Sequence, residues 1–306
     1  MVTSRARTGE WLLTSALDEF EGRAAVLLRS DPALHTVALT VTARMRETGW
    51  ARDIARFGVW PGPDGRAAGY FFWTPPHPPY VGLPGADADR LEAAAALVDA
   101  LDGAALVDAL DGAAVGGANG TRESTEALAD AWLARHPGGR AERVMRQRLF
   151  RLGTLTPPQP PPEGRARIAG AADRALLADW HQAFGAATHM RDAATRAPAE
   201  AWADDRIDYG GVTLWESADG SPVSMAGVSR LSAGTVRLAP VYTPPARRGR
   251  GYAAAVTAEV SRAARAAGAE EVLLFTDLAN RTSNALYQRL GYRPVREFAV
   301  WAFTTD

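Results

Sequence analysis

The apolar residues of this chain follow two alternating periods, and each change of period marks an element boundary. In the carboxyl-terminal half, Arg165 to Ala169 reads as a short strand, and Asp173 can cap a helix carrying Leu176, Leu177, Trp180 and Phe184 on one face. A second helical stretch covers roughly Ala193 to Asp204. Period two then takes over: Gly211 to Glu216, the turn Ala218-Asp219-Gly220-Ser221 and Val223 to Leu231 predict a hairpin, and a further strand follows from Thr235 to Tyr242. The helix expected from Gly251 to Ala267 puts Val256, Val260, Ala263 and Ala267 inward, and the apolar run Val272 to Thr276 makes the next strand. A short helix near Ser283 to Leu290 stops at Gly291, and Tyr292 to Phe303 can hold the last strands. The order is β-α-α-β-β-β-α-β-α-β.

The same order can be traced earlier in the chain. Trp11 to Thr14 is a strand, Leu17 to Arg29 a helix with Leu17, Phe20, Ala24, Leu27 and Leu28 on one stripe, and Pro32 to Arg46 a second helix. Phe57 to Trp60 and Ala67 to Trp73 flank a turn at Pro61 to Gly65, followed by a strand at Tyr80 to Leu83 and a helix at Asp87 to Leu101. Thr121 to Arg135 and Arg143 to Leu155 supply the final helix and strands, while Gly120 after Asn119 reads as a turn and Phe71-Phe72 as core. Between the halves lies a proline-rich seam, whose residues favour an extended connector. The expected domains are therefore 1–156 and 165–306, joined by a linker at 157–164. The nine-residue repeat ALVDALDGA, at Ala96 to Ala104 and Ala105 to Ala113, is too short for a solenoid unit and reads as a lengthened helix or loop.

Composition removes whole classes of chemistry. Charged residues make up 23% and the net charge is -1, so no uniform field exists to hold nucleic acid or an anionic membrane. The chain has no Cys and no Lys, which excludes a Walker A loop, a pyridoxal Schiff base, a Ser-Lys dyad, a thiolate nucleophile and an iron–sulfur cluster. Its His residues, 35, 77, 136, 181 and 189, never fall at the i, i+4 spacing of a zinc helix, so no metal is expected. Gly227-Val228-Ser229-Arg230-Leu231 is only a near miss to G-x-S-x-G. The first residues lack the apolar stretch of a signal peptide and no apolar run approaches ~18 residues, so a cytoplasmic protein is expected.

One segment carries a chemical argument. Between a strand and a helix stands Val241-Tyr242-Thr243-Pro244-Pro245-Ala246-Arg247-Arg248-Gly249-Arg250-Gly251-Tyr252-Ala253. Successive backbone N–H groups at a helix N-terminus, three Arg and two Gly make a cradle for a pyrophosphate. An exposed Gly/Arg turn is the plainer alternative. Gly249-x-Gly251-x-x-Ala254 also fits the dinucleotide fingerprint formally, with Asp277 as the ribose acid, but Pro244 and Pro245 separate the first Gly from the strand.

Arg248-x-x-Gly251-x-Ala253 resembles the R/Q-x-x-G-x-G/A signature of the GNAT (GCN5-related N-acetyltransferase) superfamily, and Asn280-x-x-Ser283-x-x-Leu286-Tyr287-x-x-x-Gly291-Tyr292 resembles that family's N-x-x-A-x-x-L-Y-x-x-x-G-F segment. The resemblance covers Arg165 to Phe303 directly and Trp11 to Leu155 by element order. In length and layout the chain is similar to the tandem mycothiol synthases of the superfamily. It implies an α/β (α+β) fold class: two GNAT-like modules, each a mixed, mainly antiparallel, splayed sheet flanked by helices. Val241 and Thr243 would offer backbone groups to the pantetheine arm of acetyl-CoA (coenzyme A), where Pro240 suits a strand bending from its neighbour. Arg248, Gly249, Arg250, Gly251, Tyr252 and Ala253 would bind its pyrophosphate; Asn280 and Ser283 belong to the second motif, with Asn280 on the pantetheine; Tyr287 would be general acid to the thiolate. Asn280 read plainly is an N-cap, Tyr287 a core aromatic and Val241 core.

The first module departs from this pattern. Pro84-Gly85-Ala86-Asp87-Ala88-Asp89-Arg90 lacks the signature and sets two carboxylates where phosphate would sit, so no acyl-CoA is expected there. On the acceptor side, Glu216 is the candidate base for a small-molecule amine, with a surface carboxylate as its plainer reading. Trp202, Tyr209 and Trp215 can line an apolar acceptor pocket or simply pack, and His181 is expected beside Trp180 on a helix surface. The leading expectation is an acyl-CoA-dependent N-acyltransferase, with other acyl donors, a non-catalytic acyl-CoA-binding module and a nicotinamide-dependent oxidoreductase as alternatives.

Overall fold

The computed structural model describes residues 9–103, 115–188 and 195–305; Met1 to Arg7, His189 and the second copy of the nine-residue repeat lie outside them. Two compact units divide the chain: Met1–Arg148 with Asp277–Ala279 and Arg296–Asp306, and Leu149–Thr276 with Asn280–Val295. Leu149 to Gly164 thus goes with the second unit, and Arg296–Asp306 with the first.

Unit 1 is built from β1 (Leu12–Thr14), α1 (Leu17–Ser30), α2 (Thr36–Thr48), β2 (Arg56–Pro61), β3 (Ala67–Trp73), β4 (Tyr80–Gly82), α3 (Asp87–Asp102), β5 (Gly117–Thr121) and α4 (Arg122–Arg135), with most of β6 (Arg140–Leu152). Its strands pair β1-β2-β3-β4-β5, antiparallel except for β4 with β5, and Phe298 to Ala302 pair antiparallel to β5. The run Tyr70-Phe71-Phe72-Trp73 is apolar throughout because β3 is covered on both faces. Phe71 and Trp73 join Trp11, Trp60, Leu97 and Trp132 in one cluster. Tyr70 and Phe72 face Phe20 and Tyr80, with Phe72 and Tyr80 stacked 5.1 Å apart.

Unit 2 repeats the plan with β7 (Arg165–Ile168), α5 (Arg174–Thr188), α6 (Arg196–Asp208), β8 (Val212–Glu216), β9 (Pro222–Val228), β10 (Thr235–Tyr242), α7 (Tyr252–Ala266), β11 (Glu271–Asp277), α8 (Arg281–Arg289) and the first residues of β12 (Tyr292–Thr304). Strands β7-β8-β9-β10-β11 lie in sequence order, antiparallel except for β10 with β11. Two cores flank this sheet: Val212 and Leu214 pack with Leu177, Ala199 and Ala203 of α5 and α6, whereas Trp215 packs with Tyr252, Val256 and Val260 of α7. The expected fold class is observed in both units.

Three details differ from the sequence reading. Gly117 to Thr121 is a strand, not a turn: side chains at Gly117 and Gly120 would meet the carbonyls of Trp301 at 2.0 Å and Val81 at 2.2 Å, so only glycine permits that pairing. On α7 the buried face takes in Val256, Thr257, Val260, Ser261 and Ala264, so it is centred to one side of the expected stripe, and Ala263 and, one residue past the helix, Ala267 are exposed. Tyr292 to Thr304 forms one long strand where several were expected.

Candidate active site

The chemistry is placed where β10 leaves its parallel neighbour. Their register runs from Thr235↔Glu271 to Leu238↔Leu274 and goes no further, although β10 continues to Tyr242 and β11 to Asp277. The cause lies on the other edge. Between Leu238↔Val228 and Val241↔Ala226, two β10 residues, Ala239 and Pro240, stand opposite Gly227 alone, a bulge that bends the strand. A side chain at Gly227 would lie 2.6 Å from the Ala239 carbonyl, so glycine is what admits the bulge. The bend opens a slot walled by main chain, with Val241 half-buried beside it. Thr243 is pinned at its end: the Ser224 hydroxyl lies 2.8 Å from the Thr243 hydroxyl and 3.1 Å from the Tyr242 carbonyl.

The Arg/Gly loop follows. Pro245–Arg247 makes one tight turn, and Arg248 donates from Nε to the Thr243 carbonyl at 3.0 Å, folding the loop back over the strand end. Gly249 and Gly251 both take positive φ, 77° and 80°, a conformation that costs other residues about 1–2 kcal/mol. Gly251 is the N-cap of α7, and Tyr252 and Ala253 open its first turn. Among the described residues the N–H groups of Gly249, Arg250 and Gly251 meet no acceptor, and the Arg250 guanidinium has no partner. Unused donors, a helix N-terminus and three guanidiniums form an anion cradle.

On the far side of the slot, Asn280 caps α8, its Oδ1 accepting from the Ser283 N–H at 3.0 Å; this is its plainer role, and its Nδ2 stays available. Ser283 enters through that backbone N–H. Tyr287 is 8% exposed and shares an apolar cluster with Leu274 of β11, Tyr252 of α7 and, at its edge, Val241 of β10. Its ring meets Tyr292 edge-on at 6.0 Å, and its hydroxyl has no hydrogen-bond partner among the described residues. Burial pushes the phenol well above its ordinary pKa, so it stays protonated.

Glu216 sits elsewhere in the electrostatics. Its carboxylate accepts from Arg167 Nε at 2.5 Å and Arg165 Nε at 3.2 Å, and these guanidiniums hold it below the usual carboxylate range. Arg167 also reaches Asp173 at 2.6 and 2.8 Å. Glu216 is therefore an ion-pair partner tying β7 to β8, a poor proton acceptor, and the base role expected of it has no support in this arrangement.

The wall of α5 and α6 is more informative. Trp202 lies against Gly227, 3.2 Å from where a side chain there would begin, directly behind the bulge. His181 stacks on Trp202 with centroids 4.4 Å apart, half-buried and not on the helix surface; its Nδ1 is buried without a partner. Burial first, then the Arg206 charge, bring its pKa to about 4, so the ring is neutral. Trp180 approaches Tyr242 at 6.0 Å on the same face. Trp215 belongs to the opposite core, its Nε1 donating to the Glu163 carbonyl at 3.0 Å, and Tyr209 donates its hydroxyl to the Val228 carbonyl at 2.8 Å. Trp202 alone of the three expected aromatics joins His181 behind the bulge. Sequence reading missed Ser224 and Gly227; a glycine inside an apolar strand opposite Ala239-Pro240 was the available signal.

Unit 1 builds the same place differently. Strands β4 and β5 pair only at Tyr80↔Asn119 and Val81↔Gly120, after which the Ser124 hydroxyl accepts from the Leu83 N–H at 2.9 Å. Arg90 donates to the carbonyls of Leu83 at 3.0 Å and Gly85 at 2.6 Å and to Asp87 at 2.5 Å. A side chain of this unit fills the loop, and Asp87 and Asp89 occupy the first turn of α3.

Among the described residues no group of three His, Cys, Asp or Glu could hold a metal ion, and no helix is long and apolar enough to cross a membrane. Residues 175–292 match the model of the Acetyltransferase (GNAT) family. Among solved structures, the chain is similar to a GCN5-related N-acetyltransferase from Sphaerobacter thermophilus, at 19% identity and TM-score 0.60 over 96% of this chain and 95% of that one. A GNAT-family acetyltransferase from Colwellia psychrerythraea aligns at 12% identity and TM-score 0.59 over 97% and 100%. A tandem GNAT protein from the clavulanic acid biosynthesis pathway aligns at 13% identity and TM-score 0.55 over 96% and 98%. At such identities these structures share the fold. Among curated proteins nothing matches the chain.

Proposed function

We propose that this chain, whose residues 175–292 belong to the acetyltransferase (GNAT) family, is an acyl-CoA-dependent N-acetyltransferase acting on a small-molecule amine by direct transfer. The observation that carries the reading is the slot between β10 and β11 ending at a cradle of unused N–H groups and three arginines. Acetyl-CoA would supply an activated acyl carbon and a thiolate leaving group. The end of β10 at Val241 and Tyr242, with Thr243 just past it, lies along the slot for a pantetheine arm, the Arg248 to Ala253 loop would neutralise a pyrophosphate, and the Nδ2 of Asn280 is a donor on the far side. Tyr287 holds a proton on Oη that would pass to the departing sulfur as the C–S bond breaks, the proton released by the acylated nitrogen restoring the phenol.

The acceptor enters from the side of Trp202, His181 and Trp180. An amine attacks only when uncharged, and an apolar wall beside a neutral imidazole disfavours the ammonium form by desolvation. This supports an amine deprotonated by its surroundings over one deprotonated by Glu216. The glycine fingerprint alone supported a nicotinamide enzyme; a turn at Pro245–Arg247 between β10 and Gly249, in a mainly antiparallel sheet, removes the strand-to-glycine junction that fingerprint needs.

The test is Tyr287→Phe, which keeps the ring and its packing. Under conditions where chemistry limits turnover with acetyl-CoA and an amine, kcat should fall about 10²-fold with little change in acetyl-CoA affinity. A donor with a better-leaving thiol should recover most of the loss. Full activity in the variant would remove Tyr287 from the mechanism, and acetyl-CoA binding with no turnover over a broad amine panel would favour a binding module.

A further inference from the structure

Unit 1 contains a pocket of about 190 Å³ that the chemistry above does not use. It opens where β4 and β5 part, the place in this unit that the slot between β10 and β11 holds in the other. Its deep wall is polar. His35 is 3% exposed, its Nδ1 lies 3.0 Å from the Tyr70 hydroxyl, and its Nε2 has no partner among the described residues. A ring nitrogen on the pocket lining that no protein group occupies can hydrogen-bond a guest. Burial, opposed more weakly by Asp31, keeps the ring uncharged, with one donor and one acceptor nitrogen.

The mouth carries charge. Arg90 is committed to Leu83, Gly85 and Asp87. Arg296, whose side chain is 50% exposed, meets Glu123 at 3.7 Å, beyond hydrogen-bond length, and makes no hydrogen bond among the described residues. Thr121, Glu123 and Ser124 bring the first turn of α4 to the same mouth, where the Thr121 hydroxyl accepts from the Ser124 N–H at 3.3 Å and Glu123 adds a carboxylate, so the cation at the mouth is Arg296. A coenzyme A pyrophosphate would run toward Asp87 and Asp89 over a loop filled by Arg90, whereas a small guest stops short of both.

We propose that unit 1 binds a small hydroxy acid in this pocket, its carboxylate at Arg296 and its hydroxyl at His35 Nε2. The site is independent of the acyl-transfer reading, since none of its residues belongs to the Arg248 loop. The full chain, labelled with ¹⁵N at histidine, is titrated with lactate, malate and salicylate and with their methyl esters, by calorimetry and by the histidine ring resonances. At least one acid should bind once per chain and shift the signal that His35→Gln removes. Its ester, and the acid with Arg296→Gln, should bind about tenfold more weakly. Acetyl-CoA affinity in Arg296→Gln should equal that of the parent, which reports an intact fold. If His35→Gln fails to fold, the half-exposed Arg296→Gln and the esters still decide the matter. The proposal is overturned if no acid moves a histidine signal at millimolar concentration, or if ester and acid bind alike, or if Arg296→Gln changes nothing.

Discussion

The two units follow one plan and part company in one loop. After β10 the chain turns through Gly249 and Gly251 with its N–H groups open and Arg250 unpaired. After β4 it turns once, at Gly85, and Arg90 folds onto the carbonyls it passes. Both loops gather guanidinium groups around main chain, but to opposite ends: in unit 2 the loop amides and the Arg250 guanidinium have no acceptor among the described residues, and in unit 1 the cation is consumed by carbonyls and Asp87. The sign of the group left over decides what a loop can bind, and a count of arginines would not reveal it.

The largest effect expected from breaking this comparison lies at the unit 1 strand junction. Gly120 has φ 155°, and a methyl group there would sit 2.2 Å from the Val81 carbonyl, a main-chain atom that cannot swing away. Gly249, the glycine at the unit 2 cradle, has φ 77° with open space around it. Gly120→Ala should cost more than about 4 kcal/mol in urea unfolding, and Gly249→Ala only about 1–2 kcal/mol. Equal losses would show that backbone approach does not close unit 1.

Much of this was legible in the sequence because local rules and tertiary structure agreed. Thr235 to Tyr242 alternates, ends in prolines and is a strand; the Arg248 to Ala253 signature falls on the loop and helix start where its chemistry requires it. What stayed hidden depends on partners distant in the chain. Gly117 to Thr121 holds one β-former, Thr121, and its pairing depends on Gly117 and Gly120 letting the Trp301 and Val81 carbonyls approach more closely than a side chain would allow. Glu216 looked available until Arg165 and Arg167, fifty residues earlier, were found upon it. Strand Tyr292–Thr304 reads as the end of unit 2, yet Arg296–Asp306 packs with unit 1, a choice made by pairing with β5 that no local pattern records.

A second test uses the buried imidazole of unit 1. Burial lowers the His35 pKa from 6.5 to about 4, while Asp31 acts in the opposite direction and the Tyr70 hydroxyl faces Nδ1. Because the folded-state value is depressed, protons bind the unfolded chain first: the stability contribution is complete above pH about 6.5 and is lost as pH falls toward 4. The loss should amount to about 3 kcal/mol, seen as a steeper fall of the urea midpoint in the parent than in His35→Gln across that window. Parallel curves would mean the ring is solvated in the folded protein, and the pocket wall would then differ from the arrangement described.

The last test addresses the cradle itself, where the units should differ in stoichiometry as well as strength. Among the described residues the Arg248 side chain makes one hydrogen bond, from Nε to the Thr243 carbonyl, which leaves its two terminal nitrogens without a protein partner. A guanidinium on a phosphate oxygen contributes about 1.5–3 kcal/mol, so Arg248→Ala should weaken coenzyme A binding roughly 10-fold to 100-fold. Raised salt should weaken the parent more than the variant, because one screened charge pair is already gone. In unit 1 the corresponding loop presents Asp87 and Asp89 and a committed Arg90, so calorimetry should find one coenzyme A per chain, and Arg90→Ala should leave that site unchanged. Two sites of similar strength would mean that Arg90 swings off its carbonyls to receive a phosphate, and the contrast between the loops would then be one of occupancy by an internal ligand and not of charge.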